Sequence, residues 1–173
     1  PSKNVKERID VRDVINTTVT VARNEWKYVA ELETNIADNL PQLPCLRDMV
    51  GQAILNLVVN AAHAIADTIE QGVKEKGRIT LSAKQNGDHI EIRIDDDGRG
   101  IPERIRGRIF DPFFTTKDIG RGTGLGLSMI YGFINHCGGE VRVESVPGGG
   151  TSIELWLPAM AADVSPTPAA VTP

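Results

Sequence analysis

Apolar side chains recur at helical spacing in three stretches of the chain and at every second position in five others, and these two periods separate helices from strands. In the first stretch Val11, Val14, Ile15, Thr18, Val19 and Ala22 share one helical face. From residue 46 to about 70 the set Val50, Ile54, Leu57, Val58, Ala61 and Ile65 keeps the same period, with Gly72 near its end, which predicts the longest helix of the chain. A third helix is predicted over 124–136. Alternation over 28–36 (Val29, Ala30, Leu32, Thr34, Ile36) predicts a strand, and the DNLPQLP that follows predicts a break. Segments 78–84 and 89–95 alternate around QNGD, whose Asn86-Gly87 pair predicts a hairpin. Segments 140–146 and 152–157 are joined by VPGGGT and predict another. Between 96 and 123, glycines and prolines punctuate a stretch too long for a simple connection, the mark of a functional or mobile loop. Without regular βαβ alternation, this mixture predicts an α+β fold: a two-layer α/β sandwich, one mixed sheet with helices on one face and its other face partly open.

Length and composition place the chain among single globular domains: 173 residues, 40% hydrophobic and 24% charged. Residues 1–10 read as a linker remnant, 11–159 as the domain, and the Ala/Pro/Thr-rich 160–173 as a disordered tail. A net charge of −4 argues against nucleic acid as a partner. Cys45 and Cys137 have no metal-binding spacing, so a reduced compartment with buried thiols is expected rather than a disulfide. No secretory pattern opens the chain and no uninterrupted apolar run approaches a bilayer span, so a soluble, cytoplasmic monomer without direct membrane contact is expected, any anchor belonging to a parent chain.

Thirteen of the seventeen glycines fall between Gly98 and Gly150, which puts the binding loops in that half. Gly122, Gly124 and Gly126 alternate where the third helix begins; bare backbone and a helix N-terminus together suit phosphate. Neither the strand-preceded dinucleotide fingerprint nor a GxxxxGK[ST] loop is present, which leaves a nucleotide site of a third kind. On the long helix Gln52, Asn56 and Asn60 stack at four-residue intervals, and Asn60 can offer a hard oxygen to a magnesium ion that bridges phosphates. After a strand, Asp97 is followed by Gly98 and Gly100, a turn that aims an acceptor-only carboxylate toward an exocyclic amine such as that of adenine. Phe110, Phe113 and Phe114 crowd a polar segment before Lys117 and Arg121, two cations suited to phosphate. Thr151 closes PGGGT and can turn a hydroxyl inward. Each block has an ordinary reading beside the chemical one: a solvated polar stripe, a charged turn, core phenylalanines, a hairpin.

Taken in order, NLVVNA (56–61), DDGRGIP (96–102), FDPFFTTK (110–117), GTGLGLS (122–128) and PGGGT (147–151) resemble the asparagine, phenylalanine and glycine boxes of sensor histidine kinases, within the superfamily of gyrase, heat-shock chaperones and mismatch-repair ATPases. The resemblance spans about residues 11–159. It implies a Bergerat-type site for ATP and Mg2+, with a mobile lid framed by the glycines. Asn60, with Asn56, would face the metal, Asp97 the adenine amine, and Asn56, Asn60 and Lys117 would be catalytic. Gly98, Gly100, Ile101, Phe110, Lys117, Arg121, Gly122, Thr123, Gly124, Leu125, Gly126, Leu127 and Thr151 would line the nucleotide. Hydrolytic relatives carry a glutamate one turn before the magnesium asparagine; this chain has Asn56, which cannot take a proton from water, so phosphoryl transfer is expected rather than robust hydrolysis. None of His63, His89 and His136 has a phosphoacceptor context. The implied partners are ATP or ADP, a histidine-bearing dimerisation domain and, indirectly, a response regulator; the isolated chain is not expected to phosphorylate itself. The alternative is a nucleotide-binding regulatory module without transfer activity.

Overall fold

A computed structural model describes residues 7–109 and 125–160. In chain order the elements are β1 (Glu7–Ile9), α1 (Val11–Val21), α2 (Arg23–Trp26), β2 (Ala30–Ile36), β3 (Leu43–Cys45), α3 (Arg47–Glu70), β4 (Gly77–Asn86), β5 (His89–Asp96), α4 (Glu103–Arg106), α5 (Leu125–His136), β6 (Glu140–Val146) and β7 (Gly150–Pro158). Five strands form a mixed sheet in the order β2-β4-β5-β7-β6, and β1 pairs with β3 in a separate ribbon. Among the described strands of this sheet only β2 and β4 run parallel. Parallel neighbours need a crossover, and the segment between them contains α3.

The strand period explains the layers. Ile79, Leu81 and Ala83 of β4, Ile90, Ile92 and Ile94 of β5, and Ile153, Leu155 and Leu157 of β7 are all buried on the helix-facing side. Against them lies the apolar stripe read from the sequence, with Val50, Ile54, Leu57, Val58, Ala61 and Ile65 buried on α3 and Val11, Val14 and Ile15 on α1. Each fully buried isoleucine contributes about 1.5–3 kcal/mol by leaving water. The opposite face is polar, as alternation demands. There Arg93 bridges Asp95 and Glu154 at 3.1 Å each, and the Arg142 guanidinium stands 4.1 Å from the Trp156 ring.

Several details differ from the sequence reading. The stretch expected as linker supplies β1, and Ile9 is buried in the core, because pairing with β3 gives its backbone partners. The expected break at the prolines contains β3, whose Pro44 sits in a short two-stranded ribbon rather than inside the main sheet. The β4–β5 turn centres on Gly87-Asp88 rather than Asn86-Gly87: Asn86 pairs with His89, and the positive φ of 65° falls on Gly87. The short helices α2 and α4 carry too few turns to show a period. Among the described residues α3 is the one helix long and apolar enough to cross a bilayer. Its apolar stripe instead belongs to the core, and Gln52, Asn56, Asn60, His63 and Asp67 interrupt its composition.

Candidate functional site

The end of β5 and one face of α3 meet at a glycine. A Cβ placed on Gly98 would lie 2.7 Å from both the carbonyl carbon and the Cβ of Ala64, so only a bare α-carbon lets this loop rest on the helix. The contact is reinforced on both sides. Arg99 N–H donates to the Ala64 carbonyl at 3.2 Å, and the Arg99 guanidinium forms an ion pair with Asp67. Asn56, Asn60, Ala64 and Asp67 succeed one another at four, four and three residues, so the helix face that carries the two asparagines is the face that receives the loop.

The three consecutive aspartates occupy three different environments. Asp95 pairs with Arg93 on the polar face of the sheet. The Asp96 carboxylate accepts the Gly98 N–H at 2.8 Å and a backbone hydrogen bond from Thr151. Asp97 accepts the Arg78 N–H at Oδ1, 2.9 Å away, and meets Lys74 Nζ at 3.2 Å through Oδ2. Its side chain stays 47% exposed, so a ligand can reach it.

Burial pushes the Asp96 carboxyl up to about 7, helped by the neighbouring Asp97 and Asp95 charges and opposed by the Gly98 and Thr151 N–H groups. The folded protein therefore holds a proton that the unfolded chain has released. Stability from this group is complete below its ordinary value of 3.8 and is lost as pH rises through about 7. Asp96→Asn, which keeps an acceptor for both N–H groups, is expected to flatten the fall in stability between those limits and to be the more stable protein at high pH. Urea midpoints of the two proteins across that range check this; parallel profiles would show that Asp96 titrates normally.

A second turn closes on the first from fifty residues away. Asp96 pairs across the sheet with Thr151, and a Cβ on Gly150, whose φ is 97°, would sit 2.1 Å from the Asp96 carbonyl oxygen. Gly148 N–H donates to the Arg99 carbonyl at 2.7 Å. Ser145 joins the two turns: its Oγ accepts the Ile101 N–H at 2.7 Å, donates to the Gly150 carbonyl at 3.0 Å and lies 2.9 Å from Thr151 Oγ1, while Arg106 donates to its carbonyl.

Among the expected site residues, the structure thus brings together Asp97, Gly98, Gly100, Ile101 and Thr151, and lays the loop on the face of Asn56 and Asn60. Both asparagines are half-buried, and Asn56 Oδ1 accepts from Gln52 Nε2 at 3.1 Å, the stacking expected from their spacing. The Thr151 hydroxyl contacts Ser145. Leu127 packs against the core from α5, which begins at Leu125 and includes Gly126. Phe110, Lys117, Arg121, Gly122, Thr123 and Gly124, and with them the expected lid, lie outside the described residues, as do 161–173 of the expected tail. Sequence reasoning missed Lys74, Asp67 and Ser145. Lys74 carried no signal within its charged loop; Asp67 shares the helical face of Asn60 and was legible in principle.

A mixed five-stranded sheet backed by helices, with an acidic glycine turn set on an asparagine-bearing helix, is the Bergerat class of ATP-binding sandwich. The chain belongs to the histidine kinase-, DNA gyrase B-, and HSP90-like ATPase family, whose pattern matches residues 45–161. It is 36% identical over 168 residues to the sensor kinase CckA of Brucella abortus, covering 88% of this chain and 17% of that protein. It is 31% identical over 159 residues to the sensor histidine kinase ZraS of Escherichia coli, covering 91% and 32%. The chain therefore spans between a sixth and a third of these relatives. Among solved structures, a mycobacterial sensor histidine kinase, MprB, superposes with a TM-score of 0.75 at 28% identity, covering 90% of this chain and 98% of that one. The catalytic domain of the histidine kinase ThkA shares the fold with a TM-score of 0.75 at 24% identity, over 90% and 99%. This is the ATP-binding catalytic domain type of the two-component sensor kinases.

Proposed function

We propose that this domain binds ATP with magnesium between α3 and the two turns, and delivers the γ-phosphate to a histidine on a dimerisation domain beyond this chain, from which a response regulator is charged, in the cytoplasm. The observation that carries the reading is the docking of Gly98 on Ala64, which places the Asp97 carboxylate and the asparagine face of α3 on the same loop–helix junction. Asp97, exposed and held by Arg78 N–H, accepts the adenine amine. Asn60 offers its carbonyl oxygen to the metal.

The donor chemistry fits a cation that arrives with its phosphates. Among the described residues no three His, Cys, Asp or Glu side chains form a metal-binding group; this face offers the Asn56 and Asn60 carboxamides, while its one carboxylate, Asp67, is paired with Arg99. Magnesium takes few protein oxygens when phosphates and water complete its octahedron. When bound it neutralises phosphate charge. Asn56 stands one turn before Asn60, and an amide accepts no proton from water at neutral pH, so the site positions ATP for an external acceptor and hydrolyses it slowly. Lys117 and Arg121 supply further positive charge in this reading.

Calorimetric titration of ATP and ADP with and without magnesium tests it. Wild type is expected to bind ATP more tightly with the metal, and Asn60→Ala to lose that increment, about 10-fold or more, with little change in metal-free binding. Equal magnesium dependence in the two proteins removes Asn60 from the metal. Mixing the chain with a separately prepared histidine-bearing hairpin of a related kinase and labelled ATP tests transfer; tight binding with no label on the hairpin would identify a nucleotide-binding module instead.

A further inference from the structure

The two cysteines, 92 residues apart in sequence, meet in space: Cys45 S–H donates to Cys137 Sγ at 3.7 Å. Cys45 is the last residue of β3 and is buried, directly ahead of α3. Cys137 follows the last residue of α5 and is half-buried, with Gly138 at a φ of 79° immediately after it. A disulfide needs about 2.05 Å between the sulfurs. The remaining approach falls on a helix end followed by two glycines, where backbone adjustment is least costly. We propose that Cys45 and Cys137 are a redox-convertible pair, reduced at rest and closed to an intramolecular disulfide by hydroperoxides, independent of the nucleotide reading.

Exposure sets the order of the steps. The Cys137 thiolate attacks a peroxide oxygen; the S–O bond forms, the O–O bond breaks, and the second oxygen leaves as water or alcohol with the thiol's proton. The Cys45 sulfur then attacks the resulting sulfenic sulfur, the S–S bond forms, the S–O bond breaks, and hydroxide leaves as water with the Cys45 proton. Two electrons pass from the thiols to the peroxide. The closed bridge would tie the entry of α3 to the exit of α5 and enclose four of the five sequence blocks, PGGGT (147–151) lying beyond it.

The full chain, reduced and dilute, is treated with hydrogen peroxide at about pH 8, where thiols are partly ionised, and read by intact mass, thiol titration and peptide mapping. Expected is a monomer lighter by about 2 Da, with both thiols consumed, one crosslinked peptide joining Cys45 to Cys137, and full reversal by dithiothreitol. Closing so long a loop is expected to raise the Tm of the oxidised monomer by roughly 5–10 °C. In Cys45→Ser, Cys137 accumulates a sulfenic acid that dimedone traps; in Cys137→Ser, Cys45 stays reduced over the same time. A wild-type protein that instead gives sulfinic acid, a crosslinked dimer, or unchanged mass while Cys137 oxidises in Cys45→Ser overturns the proposal, as does an oxidised monomer that melts no higher than the reduced one.

Discussion

Asp97→Asn is expected to weaken ATP binding by about 10- to 100-fold, the loss of one charge-assisted hydrogen bond, while leaving the domain folded. The carbonyl oxygen of an asparagine can keep the Arg78 N–H now held at Oδ1, 2.9 Å away, so the local backbone retains its partner. The other half of the side chain changes sign of function. Where Oδ2 now meets the Lys74 ammonium at 3.2 Å, an NH2 group would face a donor, and would face a second donor when an adenine amine arrives. Guanine presents a carbonyl at that position, so the same substitution should erode the preference for ATP over GTP. Calorimetry with both nucleotides, alongside a denaturation curve, separates recognition from folding. Unchanged affinity and unchanged preference in a folded Asp97→Asn protein would remove Asp97 as the adenine acceptor.

Gly98→Val is expected to be strongly destabilising, costing about 3 kcal/mol through overpacking and loss of the loop's bonds. The added Cβ alone would stand 2.7 Å from two atoms of Ala64, and a helix backbone cannot retreat as a flexible side chain can. Lifting the loop breaks Arg99 N–H to the Ala64 carbonyl and pulls Arg99 away from Asp67. A denaturant midpoint measures the loss. Combining Gly98→Ala with Ala64→Gly should recover part of the alanine variant's deficit, since the clashing Cβ disappears while the carbonyl carbon and oxygen remain. Strict additivity of the two changes would place the loop away from Ala64.

Much of the architecture was legible because burial leaves a period. The apolar positions marked by spacing on α3, β4 and β5 are all buried, as water must be excluded from one face of each, and Ala53, Ala62, Thr68 and Glu91 are buried besides. Where an element is too short to repeat a period, as in β1, β3, α2 and α4, the alternation of side chains carries no signal. Pairing across the chain supplies those instead: Glu7 finds Cys45, and Ile9 finds Leu43.

The site divides along the same line. Residue types and their intervals were enough to name asparagines on one helix face and a carboxylate ahead of glycines, since those are chemical properties of individual side chains at local spacing, while the meaning of an amide at Asn56 came from the family resemblance. Which of Asp95, Asp96 and Asp97 is buried, which is exposed and which pairs with arginine depended on β7 lying beside β5 and on Lys74 returning from the α3–β4 loop. The roles of Ser145, of Gly150 against Asp96, and of Cys45 against Cys137 are likewise contacts between distant segments. Local spacing carries no trace of them, because they exist only once the sheet has closed and the core has set the distance between its layers.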